Sequence, residues 1–271
     1  MKTRVIVAAV GLPLLLLVVL GLPAVWTAVL VAVMDVIAVW ELLRETKLAP
    51  HMRLIAYSMV MAAAVPFWSY FGCPQKWALA GLIVYFLALF GELLAAHAQM
   101  KFSAVCVAAF GGVVIPACLS ALVRILILPA GRYYIMVAFL LAFTADSGAY
   151  FVGRAWGKHK LAPVISPKKT VEGAVGGIVT AMLCMALYGL VLQLAFNQTF
   201  RYGAALVYGL LGSAGSIVGD LTFSVIKRQA GIKDYGRLLP GHGGILDRFD
   251  SMVVVAPMTE ALILLLPLLK V

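Results

Sequence analysis

The sequence predicts an all-α polytopic membrane protein with about nine transmembrane helices, and three observations support this class. Of the 271 residues, 64% are hydrophobic and the mean hydropathy is +1.05, whereas a soluble domain of this size is about half apolar. Long apolar stretches recur along the whole chain. Charged residues make up only 12% of the sequence and collect between those stretches.

The apolar stretches approach or exceed the length of about 20 residues that a spanning helix requires. The first one follows Lys2 and Arg4 and resembles a signal peptide. It lacks a convincing small-residue cleavage site and further spans follow directly, so we expect it to be retained as the first helix. The predicted spans are residues 5–22, 24–43, 53–71, 76–96, 102–123, 132–152, 172–195, 203–226 and 249–269.

The basic residues predict the orientation of these spans. With the N-terminus in the cytoplasm, most of the 21 lysines and arginines fall on the cytoplasmic side, as the positive-inside rule requires. This places the two longest connections, residues 153–171 and 227–248, on one side, where they can form one site. We divide the chain into an N-terminal scaffold of about five helices, residues 1–131, and a C-terminal part of about four, residues 132–271.

Composition and missing motifs exclude several classes of protein. The net charge of +10 is interpreted as orientation and attraction to anionic lipids, because no nucleic-acid-binding motif accompanies it. The four cysteines lie in apolar segments without a CxxC pair, so they predict neither a zinc site nor a disulfide framework. A phosphate loop, an HExxH motif and a GxSxG elbow are all missing, which argues against an ATP-driven pump, a zinc protease and a serine esterase.

Charges concentrate in residues 224–250, which read SVIKRQAGIKDYGRLLPGHGGILDRFD. A cytoplasmic loop that obeys the positive-inside rule explains the cations but not the acids. Glycines around His242 allow a backbone turn whose amides attract anions, and Gly243 and Gly244 are the expected donors. A helix beginning near Ile245 would place Asp247 and Asp250 on one face. This pattern indicates hard-metal and phosphate chemistry.

Two further acids lie among small and polar residues within predicted spans, Asp146 in TADSGAY and Asp220 in GSAGSIVGD. Acids inside spans are costly and are candidates for function. We expect Asp220, Asp247 and Asp250 to converge on one cation, with Asp146 as a weaker candidate. Oxygen ligands without clustered Cys or His favour magnesium over zinc. For the other intramembrane acids, Glu41, Glu92 and Glu260, we favour a structural role, and Asp35 has no explanation.

The basic connection 153–171 contains a second candidate site. Ser166 followed by Pro167 is typical of a helix start. Lys168, Lys169 and Thr170 would then lie at a helix N-terminus, where amides attract anions. A basic loop that serves topology alone explains the same residues equally well.

Residues 224–250 resemble the signature of the phosphatidate cytidylyltransferases, also called CDP-diacylglycerol synthases. The matching positions are Ser224, Lys227-Arg228, Lys233-Asp234, His242-Gly243-Gly244 and Asp247-Arg248-Phe249-Asp250. Upstream, similar runs surround Asp146, Ser166–Thr170 and Gly219-Asp220-Leu221, so the resemblance covers about residues 144–251.

The resemblance implies a magnesium-dependent reaction of CTP with phosphatidate, with a second cation left open, at the cytoplasmic face of a bacterial inner or plasma membrane. It implies CTP and membrane lipids as partners, no nucleic acid, and is compatible with a homodimer. The implied metal ligands are Asp220, Asp247, Asp250 and Asp146. The implied catalytic residues are Lys227, Arg228, His242, Asp247, Arg248 and Asp250, and the implied substrate-binding residues are Ser166, Lys168, Lys169, Thr170, Lys233, Gly243 and Gly244.

Two other functions fit parts of the same pattern. A CTP-dependent transferase acting on another lipid phosphate or on a lipid alcohol would use the same cations and acids, and an alcohol acceptor would require His242 or Asp250 as a base. An ion-coupled transporter would also carry acids within its spans. The sequence lacks the paired broken helices in two related halves that would favour a transporter.

Overall fold

The computed structural model describes residues 2–238 and 243–269, with the side chains of residues 2–8 excepted. This part of the chain is mostly helical, and the predicted helical class is confirmed. Seven of its helices are long and apolar enough to cross a membrane. They are Ala24–Glu45, Met52–Phe71, Gln75–Ala95, Phe102–Ile127, Gly131–Trp156, Val171–Phe196 and Tyr202–Gln229.

The secondary structure consists of twelve α-helices and one short hairpin among the described residues. The helices are α1 (Lys2–Leu16), α2 (Ala24–Trp40), α3 (Met52–Phe71), α4 (Gln75–Ala95), α5 (Phe102–Ala109), α6 (Ile115–Leu119), α7 (Ala121–Ile127), α8 (Gly131–Trp156), α9 (Val171–Phe196), α10 (Tyr202–Gln229), α11 (Leu246–Phe249) and α12 (Met252–Leu265). Strands β1 (Lys160–Ala162) and β2 (Ser166–Thr170) are antiparallel. The π-helical turns Leu17–Gly21, Glu41–Glu45 and Phe110–Val114 extend α1, α2 and α5.

The first and last predicted spans are not among these seven helices. Near the N-terminus, the part of the first helix whose side chains are described is apolar and covers Ala9–Gly21. Helix α12 has 14 residues, or about 21 Å at the rise of an α-helix, against a hydrocarbon core of about 30 Å. The number of nine spans therefore stays a prediction.

The chain divides into two compact units. The first contains Met1–Ile127 and Lys227–Phe249, and the second contains Leu128–Ile226 and Asp250–Val271. The boundary between the two units at residues 127/128 lies close to the predicted division at 131/132. The segment Lys227–Phe249, which holds most of the charged signature, groups with the N-terminal helices rather than with the C-terminal ones.

In the first unit, α2 and α3 pack against the broken helix that begins at α5. The buried Ser58 and Tyr85 hydroxyls are 2.8 Å apart, and the Tyr85 hydroxyl donates to the Ala108 carbonyl at 2.8 Å. This bond satisfies a carbonyl immediately before the π-helical turn. A Cβ at Gly112 would collide with Tyr85, so the glycine allows this close approach. At the edge of the unit, Arg53 pairs with Glu92 at 3.3 Å.

In the second unit, α8 and α9 pack closely because small residues line their interface. A Cβ at Gly177 would lie 2.6 Å from the Ala145 carbonyl oxygen, and a Cβ at Gly173 would lie 2.7 Å from that of Ala149. Such contacts require glycine, since any side chain would push the helix backbones apart. The two helices therefore form a closely packed pair, with the β1–β2 hairpin in the connection between them.

The hairpin corrects the predicted helix start at Ser166. Residues Ser166–Thr170 form strand β2, and α9 begins at Val171. Thr170 is the N-cap, and its hydroxyl oxygen accepts a hydrogen bond from the Gly173 amide at 3.1 Å. The Ser-Pro pattern is local, whereas the strand is fixed by pairing with β1 across the connection.

Candidate active site

In the first unit, Asp247 lies in α11 and its carboxylate is bound by three donors. Oδ1 accepts a hydrogen bond from the Lys227 ammonium at 2.9 Å, and Oδ2 accepts from the Tyr235 amide at 2.7 Å and the Gly244 amide at 2.9 Å. The Asp247 side chain is 2% exposed and the Lys227 side chain is 10% exposed. Burying a carboxylate is costly unless it is paired and hydrogen-bonded, and these three contacts compensate Asp247. They also hold the signature segment around this acid.

The glycine turn before α11 depends on the absence of side chains. Gly243 has a φ of +90°, which L-residues rarely adopt, and a Cβ there would lie 2.8 Å from an Asp247 carboxylate oxygen. The positive φ expected for this turn is thus present at Gly243. The Gly244 amide, expected as a donor to a substrate phosphate, donates to Asp247 in this structure. The turn therefore supports the acid directly.

The other cations of the signature are at the surface. Arg228, Lys233 and Arg248 are exposed. One Arg228 nitrogen donates to the Ile232 carbonyl at 3.1 Å, which ties the end of α10 to the segment that follows. Lys227 differs from them because it is buried. Its ammonium nitrogen lies 5.3 Å from the centre of the Tyr235 ring. Exposed cations on such a segment can meet phosphates from solution.

The first unit also contains a cavity of about 870 Å³, within the size range of small-molecule sites. Its wall combines apolar side chains of α2 and α3 with charged residues of the signature, and it includes Trp40, Glu41, Glu45, Lys233, Asp234 and Arg237. A cavity lined by an aromatic ring and by charges of both signs can accommodate a polar ligand with a planar ring.

In the second unit, Asp220 and Lys169 form an ion pair. The Lys169 nitrogen lies 2.5 Å from Asp220 Oδ2, and each side chain is 27% exposed. The other oxygen, Oδ1, accepts a hydrogen bond from the Ser224 hydroxyl at 3.2 Å. Sequence analysis places a metal ligand at Asp220 and a phosphate ligand at Lys169. The structure brings the two side chains into direct contact.

This pair lines a cavity of about 460 Å³ within the second unit. The walls come from α8, α9, α10 and the hairpin, and the charged and hydroxyl residues among them are Asp146, Tyr150, Arg154, Lys168, Lys169, Thr170 and Asp220. Five predicted site residues thus share one cavity. Cations and carboxylates that line one cavity can hold a phosphate and a counter-cation.

Asp146 and Asp250 have further contacts in the second unit. The Ser216 hydroxyl donates to Asp146 Oδ1 at 3.4 Å. The Asp250 carboxylate accepts from the Ser251 amide at 2.8 Å. A Cβ at Gly219 would lie 3.0 Å from the Asp250 carbonyl oxygen, so the glycine beside Asp220 lets α10 approach this turn closely.

The common helical face expected for Asp247 and Asp250 is not formed. Helix α11 begins at Leu246, close to the predicted start, but it ends at Phe249. Asp250 lies in the turn before α12, so that no single helix carries both acids. His242 lies outside the described residues. Ser166 lies in β2, away from the N-cap position that its pattern predicts.

The carboxylates of the site are compatible with a hard cation that takes its remaining ligands from water and substrate. Among the described residues, no group of three or more His, Cys, Asp or Glu side chains can hold a metal ion. The cavity of the second unit offers two carboxylates, Asp146 and Asp220. Magnesium is usually held by one or two carboxylates together with waters and substrate phosphates, and this arrangement fits that requirement.

The contact between Glu41 and the signature segment was not predicted. We expected a structural role for Glu41 without a specific partner, and its side chain is buried, 3% exposed. Its oxygens accept hydrogen bonds from the Ile245 amide at 3.0 Å and the Leu246 amide at 2.8 Å. The partners are 204 and 205 positions away in the chain, so local sequence patterns contain no signal for the contact.

Comparison with known proteins gives one family and a set of bacterial relatives. The cytidylyltransferase family matches residues 2–266. Proteins named phosphatidate cytidylyltransferase are 46% identical in Staphylococcus saprophyticus, 48% in Staphylococcus epidermidis and 44% in Staphylococcus aureus. Each alignment covers 134 residues, or 49% of this chain and 50% of the relative. The chain thus spans about half the length of the curated relatives it matches.

The family match covers both units described above, whereas the relatives' similarity is confined to about half of each chain. Because the match includes the signature segment and the cavity of the second unit, the family assignment and the site rest on the same residues. The chain belongs to the cytidylyltransferase family.

Proposed function

We propose that this protein transfers the cytidylyl group of CTP to phosphatidate and releases pyrophosphate, which produces CDP-diacylglycerol. The observation that carries the proposal is the cavity of the second unit, where Lys168 and Lys169, just before α9, share a wall with Asp220 of α10. Such a place suits a phosphate attached to a lipid. The names of the staphylococcal relatives support the same reaction.

The transfer requires positioning and charge neutralisation more than a protein nucleophile. A phosphate oxygen of the lipid attacks the α-phosphorus of CTP, and the bond from that phosphorus to the oxygen of the β-phosphate breaks. Pyrophosphate leaves with the bonding electrons. Since a phosphate monoester is already anionic near neutral pH, no strong base is needed, and alignment of the two substrates supplies much of the acceleration.

The cations have different proposed roles according to their burial. Lys168 and Lys169 hold the phosphate in the second unit. Arg228, Lys233 and Arg248 are exposed and neutralise the triphosphate. Lys227 is buried and holds Asp247 in place. Charged donors that are fixed before substrate arrives stabilise developing charge at low reorganisation cost.

The acids are proposed to hold magnesium, with Asp146 and Asp220 as ligands in the cavity of the second unit and with Asp247 and Asp250 as further candidate ligands. Bound magnesium supplies neutralisation of the charge that develops on the phosphate oxygens. The aspartates would position the ion against the phosphates. Lys169 and Lys227 compensate the charges of Asp220 and Asp247. His242 is proposed to contact phosphate or to transfer a proton.

We also propose the membrane arrangement that this chemistry needs. Nine spans with a cytoplasmic N-terminus place the basic segments on the side where CTP is found, in a bacterial plasma membrane. Bacterial relatives and seven helices of spanning length support the multi-pass part of this proposal. Cysteine accessibility mapping, with a membrane-impermeant reagent on intact cells and on inverted vesicles, tests the side on which Lys158 lies.

A comparison of lipid acceptors tests the reaction. Purified protein is incubated with CTP labelled at the α-phosphorus and with phosphatidate, an ether-linked lipid phosphate or an isoprenoid alcohol. Phosphatidate should give the highest kcat/KM. A preference for another phosphate or for the alcohol would contradict the proposed acceptor, and labelled ion flux in vesicles without nucleotide transfer would favour a transporter.

A further inference from the structure

Glu41 lies at the C-terminal end of α2, in the π-helical turn Glu41–Glu45, far from the signature in sequence. Its Oε1 accepts from the Ile245 amide at 3.0 Å and its Oε2 accepts from the Leu246 amide at 2.8 Å. One buried carboxylate thus binds two consecutive amides at the start of α11. Hydrogen bonds to an ionised acceptor are about twice as strong as neutral ones.

The signature segment is shaped to receive this carboxylate. A Cβ at Gly236 or at Gly244 would collide with the Glu41 carboxylate. A side chain at either position would have to displace the Glu41 carboxylate, so the two glycines leave room for it. Two glycines, separated by seven residues in the chain, lie against one side chain at the end of α2, so the fit involves two separate positions of the signature segment.

The amides that Glu41 binds adjoin the amide that holds Asp247. Gly244 donates to Asp247, and the next two amides, of Ile245 and Leu246, donate to Glu41. Three consecutive amides are therefore directed at two carboxylates. The position of Asp247, which directly follows Leu246, depends on both sets of bonds.

We propose that Glu41 is a positioning residue for cytidylyl transfer, which acts by fixing the backbone of residues 244–247 and through it Asp247 and Arg248. Both Glu41 oxygens bind the loop, so the residue works through its neighbours rather than on a substrate. The kinetic part of this inference rests on the proposed function. It also assigns a functional role to the N-terminal helices, which carry little of the signature.

Two substitutions remove the hydrogen bonds of Glu41 in two steps. Glu41→Gln keeps one acceptor and faces the second amide with a donor, so one bond is lost. Glu41→Ala loses both bonds and leaves two buried amides unpaired. We expect kcat to fall about 10-fold in Glu41→Gln and about 100-fold in Glu41→Ala, because small displacements of catalytic groups cost up to that factor. KM for both substrates should stay within about twofold, since uniform binding is unaffected.

Glu92→Gln is the matched control, because it makes the same change on another helix of the same unit. The Glu92 carboxylate contacts Arg53 and Tyr57 rather than the signature. We expect this variant to keep wild-type kcat and KM. A loss of activity in Glu41→Gln that matches the loss in Glu92→Gln would overturn the proposal.

Hydrogen exchange gives a readout that does not require turnover. Peptides that cover residues 243–249 should exchange faster in Glu41→Gln than in the wild type, and peptides of α9 should be unchanged. Unprotected Ile245 and Leu246 amides in the wild type would overturn the proposal even if neither variant folds. So would wild-type kcat in Glu41→Gln, or a fall in activity equal to the fall in folded fraction.

Failure of the proposed function and failure of the positioning role of Glu41 give different experimental results. If the wild type makes no CDP-lipid, the proposed function is wrong, and the exchange data alone decide whether Glu41 holds the loop. If the wild type is active and exchange is altered but kcat is unchanged, Glu41 is a structural contact and the positioning role is wrong.

Discussion

The Lys169 ammonium lies 2.5 Å from a carboxylate oxygen of Asp220, inside the cavity of the second unit. The lysine thereby takes up one acceptor position of that oxygen, which a cation would otherwise use. Both side chains are 27% exposed, so solvent reaches the pair. A metal ion can therefore replace Lys169 at Asp220, and a phosphate can replace Asp220 at Lys169. An acid proposed to bind metal and a lysine proposed to bind phosphate thus compensate each other when neither ligand is bound.

Magnesium should release Lys169, because the ion and the ammonium compete for the same carboxylate. We expect amine-reactive labelling of Lys169, measured by mass spectrometry, to rise several-fold on addition of magnesium and to fall again with EDTA. Asp220→Asn should raise the labelling without magnesium. Lys158 in the same connection is exposed and serves as the internal control. Labelling of Lys169 that responds to neither change would contradict the competition.

Asp247 and Lys227 should be strongly coupled in stability. Breaking a buried ion pair by removing one partner typically costs about 3–5 kcal/mol, so Asp247→Asn and Lys227→Met should each lower the unfolding temperature in detergent. The double variant should be more stable than the sum of the single changes predicts, because it leaves no charge unpaired. Strictly additive shifts would show that the pair is not coupled.

Thr170 should stabilise the start of α9 through its hydroxyl. Thr170→Val keeps the shape but removes the acceptor for the Gly173 amide, and loss of such a cap costs about 1 kcal/mol. Thr170→Ser retains the acceptor and is the control. Thermal unfolding should rank wild type and Thr170→Ser above Thr170→Val. Equal stability of the serine and valine variants would contradict the capping role.

Gly219 should be required for activity because α10 meets the turn at Asp250 there. In Gly219→Ala the new Cβ would lie 3.0 Å from the Asp250 carbonyl oxygen and the same distance from Ser251 Cα. Displacement of the turn by a few tenths of an ångström should lower kcat about 10-fold. Gly203 lies on the same helix with open space at its Cβ position, and Gly203→Ala should retain wild-type activity. Equal effects of the two changes would contradict the requirement.

Much of the architecture follows from hydropathy, because a spanning helix imposes a long apolar run on the sequence. The turn at Gly243 was predictable for a similar reason, since glycine clusters indicate unusual backbone conformations. Residues that share a local segment, such as Lys168, Lys169 and Thr170, were also correctly grouped in one place.

Contacts between distant segments were not predictable in the same way. Glu41 was expected to have a structural role, but its partners Ile245 and Leu246 are identified only from the folded chain. Ser166 has a good local pattern for an N-cap, but pairing with Lys160–Ala162 makes it part of a strand. The Glu41 bonds are long-range, whereas the Ser166 strand is fixed by a neighbouring strand a few residues upstream. In both cases bonds outside the local pattern outweigh the local preference.

The position of the label in CTP provides the most direct test of the proposed reaction. Purified protein is incubated with phosphatidate and CTP labelled at either the α- or the γ-phosphorus, with magnesium or with EDTA. Cytidylyl transfer predicts that the α-label enters the lipid phase with magnesium, that the γ-label leaves in pyrophosphate, and that EDTA stops both. Entry of the γ-label into lipid, or an absence of α-labelled lipid from folded protein, would contradict it.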